Sequence, residues 1–141
     1  MGNKTYLVTG ASKGIGRSIA RSLARDGMRV VVLARQSDHL ESACDEIQSL
    51  SPSSFSIACD LANPESIDSA VQCLEELDVL DGIVHNAGAI MPIRSMFEAD
   101  QDAWEQNSHI NLTGVQPLTK GLYAKMRAAE HCRVTTISSG A

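Results

Sequence analysis

Basic residues are scarce in this 141-residue chain: 12 Lys plus Arg stand against 17 Asp plus Glu, a formal net charge of −5. No stretch gathers them into a patch able to track a phosphate backbone, which argues against a nucleic-acid partner. Long apolar runs are missing as well. The longest, Val30 to Ala34, falls far short of the roughly 18 residues that suggest a membrane span, and the N-terminus shows no charged region followed by an apolar stretch. A soluble, cytoplasmic chain with no membrane partner is expected. Paired cysteines are absent too: Cys44, Cys59, Cys73 and Cys132 form no C-x-x-C, so neither a zinc site nor a redox pair is signalled. They read as reduced thiols, which behave as small hydrophobes in a core. His39, His85, His109 and His131 show no metal-ligand spacing, and no metal is implied.

What is present suits one compact core. The length lies just under the roughly 150 residues of a single domain, and 43% hydrophobic with 21% charged residues is near the globular average. With no repeat, linker or low-complexity tract, residues 1–141 read as one domain. Short β-branched runs alternate with segments of helical period, the pattern of βαβ units around a parallel sheet. Five strands are predicted: Thr5 to Thr9, Arg29 to Ala34, Phe55 to Ala58, Gly82 to His85 and Val134 to Ser138. The first helix should bury Ile15, Ile19, Leu23 and Ala24 and stop at Gly27. The second should start at Asp38, with Glu41 completing an Asp version of the capping box, and bury Leu40, Cys44, Ile47 and Leu50. The third has Asn63 as cap and Pro64 in the first position, with Ile67, Ala70, Val71 and Leu74 facing in. A fourth, from about Trp104 to Glu130, should be kinked by Asn111, Gly114 and Pro117. The loop Ala89 to Asp102, holding Pro92, is long enough to lie over a ligand.

The segment Thr9-Gly10-Ala11-Ser12-Lys13-Gly14-Ile15-Gly16 falls between the first strand and the first helix. Glycines there permit a tight turn and a close backbone approach to a pyrophosphate, while free N–H groups at the helix start attract its charge. The spacing is G-x-x-x-G-x-G, and without G-K-[ST] a P-loop is excluded. Four further segments follow in order at strand or helix ends: Asp60-Leu61, Asn86-Ala87-Gly88, Ile110 to Gly114, and Ile137-Ser138-Ser139.

Together these motifs resemble the short-chain dehydrogenase/reductase family, over the whole of Lys4 to Ala141. The resemblance implies a Rossmann-type doubly wound α/β sheet with strand order 3-2-1-4-5, truncated at its C-terminal side. It implies a coenzyme held by Gly10, Ser12, Lys13, Gly14, Ile15 and Gly16, with Asp60 and Leu61 at the adenine and Asn86, Ala87 and Gly88 after the fourth strand. It also implies that Ser139, or else Ser138, polarises a substrate carbonyl and that Asn111 holds a water in a proton relay.

Coenzyme choice follows from charge. An acid at the end of the second strand would bind the ribose 2′-hydroxyl of NAD and repel the 2′-phosphate of NADP. Ala34 takes that place, Arg35 follows, and Lys13 stands in the glycine loop. Each charge-assisted bond to phosphate contributes roughly 1.5 to 3 kcal/mol, so NADP(H) is expected rather than NAD(H).

The family's Tyr-x-x-x-Lys should come after Ser139. Of the two tyrosines, Tyr6 lies in the first strand and Tyr123 precedes Ser139 with Arg127 four residues on, so neither can stand in. A free Tyr titrates near pH 10 and needs a cation to act near neutrality. The expected protein is therefore an NADP(H)-dependent oxidoreductase acting on a small-molecule carbonyl, present as its coenzyme-binding part and inactive alone, the full-length form a homo-oligomer. The alternative is an NADP-binding module without turnover; an extended sugar-nucleotide epimerase relative fits the loop spacing less well. Leu80 to Gly88 and Ile137 to Ala141 loosely resemble the sepiapterin and benzil reductase group, which reduces vicinal dicarbonyls. His85 departs from the family's usual Asn and reads as a packing residue.

Overall fold

The computed structural model describes residues 3–90 and 95–139. Strands β1 (Thr5–Thr9), β2 (Arg29–Ala34), β3 (Phe55–Ala58), β4 (Gly82–His85) and β5 (Arg133–Thr136) form one sheet in the order β3-β2-β1-β4-β5. Every pairing is parallel. Helices α1 (Gly14–Arg25), α2 (Asp38–Leu50) and α3 (Pro64–Cys73) connect the first four strands. The chain runs outward from β1 to β3 and then returns to β4, so the strand order reverses between β1 and β4. That reversal opens a crevice at the carboxyl ends of the strands, where ligands of such sheets bind.

Successive residues of β2 serve two different cores. Val30, Val32 and Ala34 pack with Val8, Val84, Ala20, Leu40 and Ile47 on one face. Val31 and Leu33 pack with Leu7, Ile57, Ile83, Leu74 and Leu118 on the other. Both faces of the central strands are dry, which is why β2 reads as an uninterrupted apolar run.

The helix ends follow local chemistry. After α1, Gly27 takes φ +80°; its N–H bonds to Ala24 O at 3.0 Å and that of Met28 to Leu23 O at 3.0 Å, the pair of bonds that closes a helix with a left-handed glycine. Asn63 Oδ1 caps α3 by accepting from the N–H groups of Glu65 and Ser66. At α2 the structure corrects the expectation: Ser37, not Asp38, is the cap, its Oγ accepting from Leu40 N–H at 3.2 Å. Asp38 and Glu41 both lie in the first turn, where the helix dipole favours negative charge.

Two inward faces also differ. α1 buries Gly16, Ala20 and Ala24, with Ile19 and Leu23 only partly covered and Ile15 64% exposed. Small residues let the helix lie close to the sheet, and the larger ones flank the contact. On α2 the buried set is Leu40, Ala43 and Ile47, while Cys44 is half-buried and Leu50 exposed.

The single kinked helix resolves into α4 (Gln101–Ser108), a π-turn (His109–Thr113), α5 (Val115–Gly121) and α6 (Tyr123–Arg127). The break has a steric cause. A Cβ at Gly114 would lie 2.4 Å from Leu61 O and 2.7 Å from His109 O, so the chain passes hard against the loop after β3. The widened turn is closed by Gly114 N–H to His109 O at 2.8 Å. β5 begins one residue before the predicted strand and ends two earlier, although Ile137 N–H still bonds to His85 O. It lies at a sheet edge with all four residues exposed. Residues 91–94, including Pro92 of the predicted long loop, and residues 140–141 lie outside the described residues. Among the described residues no helix is long and apolar enough to cross a membrane.

Candidate functional site

A cleft of about 720 Å³ opens at the carboxyl ends of β1 to β4. It is lined by Gly10, Ser12, Lys13, Gly14 and Ile15 from the first loop, Ala34 to Ser37 and His39 from the second, Cys59, Asp60 and Leu61 from the third, and Asn86 to Ala89 from the fourth. Eleven of the twelve residues expected to hold a coenzyme therefore share one crevice. The twelfth, Gly16, is buried and absent from the lining.

The three loop glycines have two physical roles. A Cβ at Gly10 would sit 2.7 Å from Ala87 Cα, and one at Gly16 would sit 2.4 Å from both Asn86 Nδ2 and Gly10 O. These two let the loop press against the end of β4, and Gly10 also holds φ +62°. Gly14 meets nothing within 4 Å but holds φ +59°, so it is required by the backbone rather than by space. Helices α2, α3 and α4 have the side-chain caps Ser37, Asn63 and Asp100, whereas Lys13 at the start of α1 makes no side-chain cap bond. The first N–H groups of α1 are left for an anion in the cleft.

Thr9 is the residue that sequence reading left without a role. It is 1% exposed, and its hydroxyl donates to Val84 O at 3.4 Å while accepting from the N–H groups of Asn86 and Ala87, each at 3.0 Å. Asn86 Nδ2 returns the contact by donating to Thr9 O and Gly10 O, each at 3.2 Å. Asn86 thus fastens the first loop to β4 as well as lining the cleft. Thr9→Val keeps the shape but strands two half-buried N–H groups, each costing about 1–2 kcal/mol. Chemical denaturation should show a loss of about 2–4 kcal/mol, with Thr9→Ser retaining most of the wild-type stability.

Charge is arranged unevenly. Lys13 and Arg35, both exposed, enter the cleft from two different loops. Ala34 fills the last position of β2 at 8% exposure, so no carboxylate stands beside them there. Asp60 supplies the third loop's charge, but its Oδ1 accepts from Ala62 N–H at 2.9 Å and so shapes its own turn. Burial pushes the Cys59 thiol up, which keeps it protonated and unreactive in the cleft wall. All four cysteines are free thiols.

Asn111 lies in the π-turn, and its amide makes a two-point contact with Ala89: Oδ1 accepts from the N–H at 2.8 Å and Nδ2 donates to the carbonyl at 2.7 Å. Its neighbour Ile110 lines the cleft. The widened turn therefore carries Asn111 to the end of β4. Ser138 and Ser139 follow β5 at the same end of the sheet and are exposed; neither is among the lining residues.

His85 ends β4 and is 5% exposed. The Thr119 hydroxyl gives its one proton to Val115 O at 2.7 Å, so it accepts from His85 Nε2–H at 3.1 Å, and the buried Nδ1 has no partner among the described residues. Burial holds the ring below the usual histidine range. The unfolded chain takes up that proton near pH 6.5 and the folded chain only at lower pH, so U binds more protons between those values and stability falls with pH. Denaturation midpoints should drop from pH 7.5 to 5, and His85→Asn should flatten that slope. Glu46, held below the usual carboxylate range by bonds from Arg21 and Arg17, loses its contribution only below about pH 4.3.

The family model for short chain dehydrogenases matches residues 4–141. Oxidoreductase UcpA of Escherichia coli K12 is 31% identical over 137 residues, covering 96% of this chain and 51% of that protein. The structure of L-sorbose reductase from Gluconobacter frateurii complexed with NADPH and L-sorbose superposes with a TM-score of 0.87 at 28% identity, covering 96% of this chain and 52% of that one. A short chain dehydrogenase from Shigella flexneri complexed with NADP gives 0.89 at 28% identity, covering 99% and 60%. The chain spans about half the length of the curated relatives it matches.

Proposed function

The chain belongs to the short chain dehydrogenase family, and from that premise we propose that it is the coenzyme-binding part of an NADP(H)-dependent oxidoreductase. The substrate is a small molecule whose carbonyl and alcohol forms are interconverted; the bound nicotinamide supplies or accepts the hydride. The observation that carries this reading is the meeting of Lys13 and Arg35 in one glycine-loop cleft with Ala34 where an acid would repel a 2′-phosphate.

The residues present fit a dinucleotide. The volume is in the range of small-molecule sites, and the uncapped start of α1 leaves N–H groups for a pyrophosphate. Lys13 and Arg35 would hold the 2′-phosphate, Asp60 and Leu61 the adenine, and the segment Asn86 to Gly88 the coenzyme where it passes the end of β4. Ser139 would orient the substrate carbonyl, and Asn111 would hold a relay water beside Ala89.

On the family resemblance, the proton-transferring Tyr and its Lys would come from the part of the relatives' length that this chain does not span, and the chain alone is expected to be inactive. Within the family, the likeness of Leu80 to Gly88 to the sepiapterin and benzil reductase group makes vicinal dicarbonyls the first substrates to try with the full-length protein, read here as a cytoplasmic homo-oligomer. The second reading, a binding module without turnover, rests on the placement of Tyr6 in β1 and Tyr123 at the start of α6, away from Ser139 in sequence. Titrating the chain with NADPH and with NADH, while following thermal stability and nicotinamide fluorescence, tests both. Stabilisation by NADPH in preference to NADH is expected, worth about 2.7 kcal/mol at 100 times Kd; a folded chain that binds neither overturns both readings.

A further inference from the structure

Arg17 stands one turn into α1, and its guanidinium reaches two elements at once. Nε donates to Glu46 Oε2 at 2.7 Å, and Nη2 donates to Ser42 Oγ at 3.1 Å and Ser42 O at 3.4 Å, all on α2. Nη1 donates to the carbonyl of Ser12 at 3.4 Å, in the glycine loop beside Lys13. The Arg17–Glu46 pair is 23% and 27% exposed, covered enough to hold its geometry.

The loop needs such a brace on its outer side. Its inner side is locked by the tight packing of Gly10 and Gly16 on Asn86 and Ala87, whereas among the described residues nothing packs within 4 Å of a Cβ at Gly14. Lys13 and Arg35 ride on separate loops, and like charges brought to one phosphate gain from it only if both loops are held in place. Arg21 also donates to Glu46, through Oε1, but makes no bond to the loop among the described contacts. The two arginines therefore share a carboxylate and differ in one contact, the Ser12 carbonyl.

We infer that Arg17 is a positioning residue for coenzyme selection: it ties the loop bearing Lys13 to the helix that follows Arg35, so that both cations face one 2′-phosphate. The inference rests on the NADP(H) reading above and adds the element that sets the spacing of the two cations. A loop already ordered when the coenzyme arrives saves the cost of ordering it on binding. The glycine loop serves the pyrophosphate of either coenzyme, but the part of the saving that fixes Lys13 applies to NADPH alone, because NADH has no 2′-phosphate for Lys13 to meet.

The test compares Arg17→Met, Arg17→Lys and Arg21→Met in this chain, measuring Kd for NADPH and NADH by fluorescence and the thermal midpoint for each. Arg17→Met should lower the NADPH-to-NADH affinity ratio by about 3- to 10-fold, with NADH binding weakened less than NADPH binding. Arg17→Lys keeps a charge for Glu46 but loses the planar fork, and should lower the ratio even if Arg17→Met fails to fold. Arg21→Met should lower the midpoint and leave the ratio unchanged. A ratio unchanged in both Arg17 variants, or lowered equally in Arg21→Met, overturns the positioning role. A wild-type chain with no preference for NADPH overturns the coenzyme reading instead, and the inference with it.

Discussion

Replacing Arg35 by Asp is expected to weaken NADPH binding by roughly 10- to 100-fold and to bring NADH to parity or better. The change acts twice at one place. It removes a guanidinium that enters the cleft directly after Ala34, and it installs a carboxylate one residue past the strand end, close enough to the ribose to repel a 2′-phosphate. Lys13 remains on the opposite loop, so the loss should stop short of the sum for two cations. Both side chains are exposed, so their attraction for phosphate is screened by salt. The wild-type preference should therefore shrink as ionic strength rises, whereas the preference of Arg35→Asp should barely respond. Fluorescence titrations with both coenzymes at two salt concentrations decide the matter. NADPH affinity that survives the substitution would mean that the 2′-phosphate does not lie between these loops.

The first four strands were legible because each is short and either rich in β-branched residues or largely apolar, and β2 shows the cause plainly in its alternation between two cores. The cleft was legible for a related reason: its residues follow strand ends, and parallel topology brings those ends together. What escaped were contacts set by distances the sequence does not display. Thr9 bonds to Asn86 and Ala87, which lie 77 and 78 residues away, and its place at the head of the glycine segment does not show what its hydroxyl would hold. Gly114 was read as a helix weakener, but the reason for it is the carbonyl of Leu61, and the π-turn that results carries Asn111 to Ala89. At α2 a local signal misled: Asp38 with Glu41 imitates a capping box, while Ser37, one residue earlier, takes the Leu40 N–H. The inner face of α1 was drawn from its largest apolar residues, yet contact distance selected Gly16, Ala20 and Ala24.

That same closeness makes Gly16→Ala the most damaging single change expected in the loop. A methyl group there would lie 2.4 Å from Gly10 O and from Asn86 Nδ2. Asn86 can turn away, but only by giving up its bonds to Thr9 O and Gly10 O, worth about 1 kcal/mol each. The Gly10 carbonyl is backbone and moves only with the loop, which Ala87 Cα blocks on its far side at 2.7 Å from a Gly10 Cβ position. Overpacking of about 1–3 kcal/mol added to the two lost bonds gives about 3–5 kcal/mol, a large share of the 5–15 kcal/mol that holds a typical domain together. Gly14→Ala supplies the contrast. Its methyl would enter open space, and only the left-handed φ of +59° opposes it, at about 1–2 kcal/mol. Denaturant titration should therefore rank wild type, Gly14→Ala and Gly16→Ala in falling stability. NADPH titration should find binding weakened in the second and lost in the third. Equal costs at the two positions would mean that the loop does not press on the end of β4, and that the cleft is shaped by the glycines' flexibility alone.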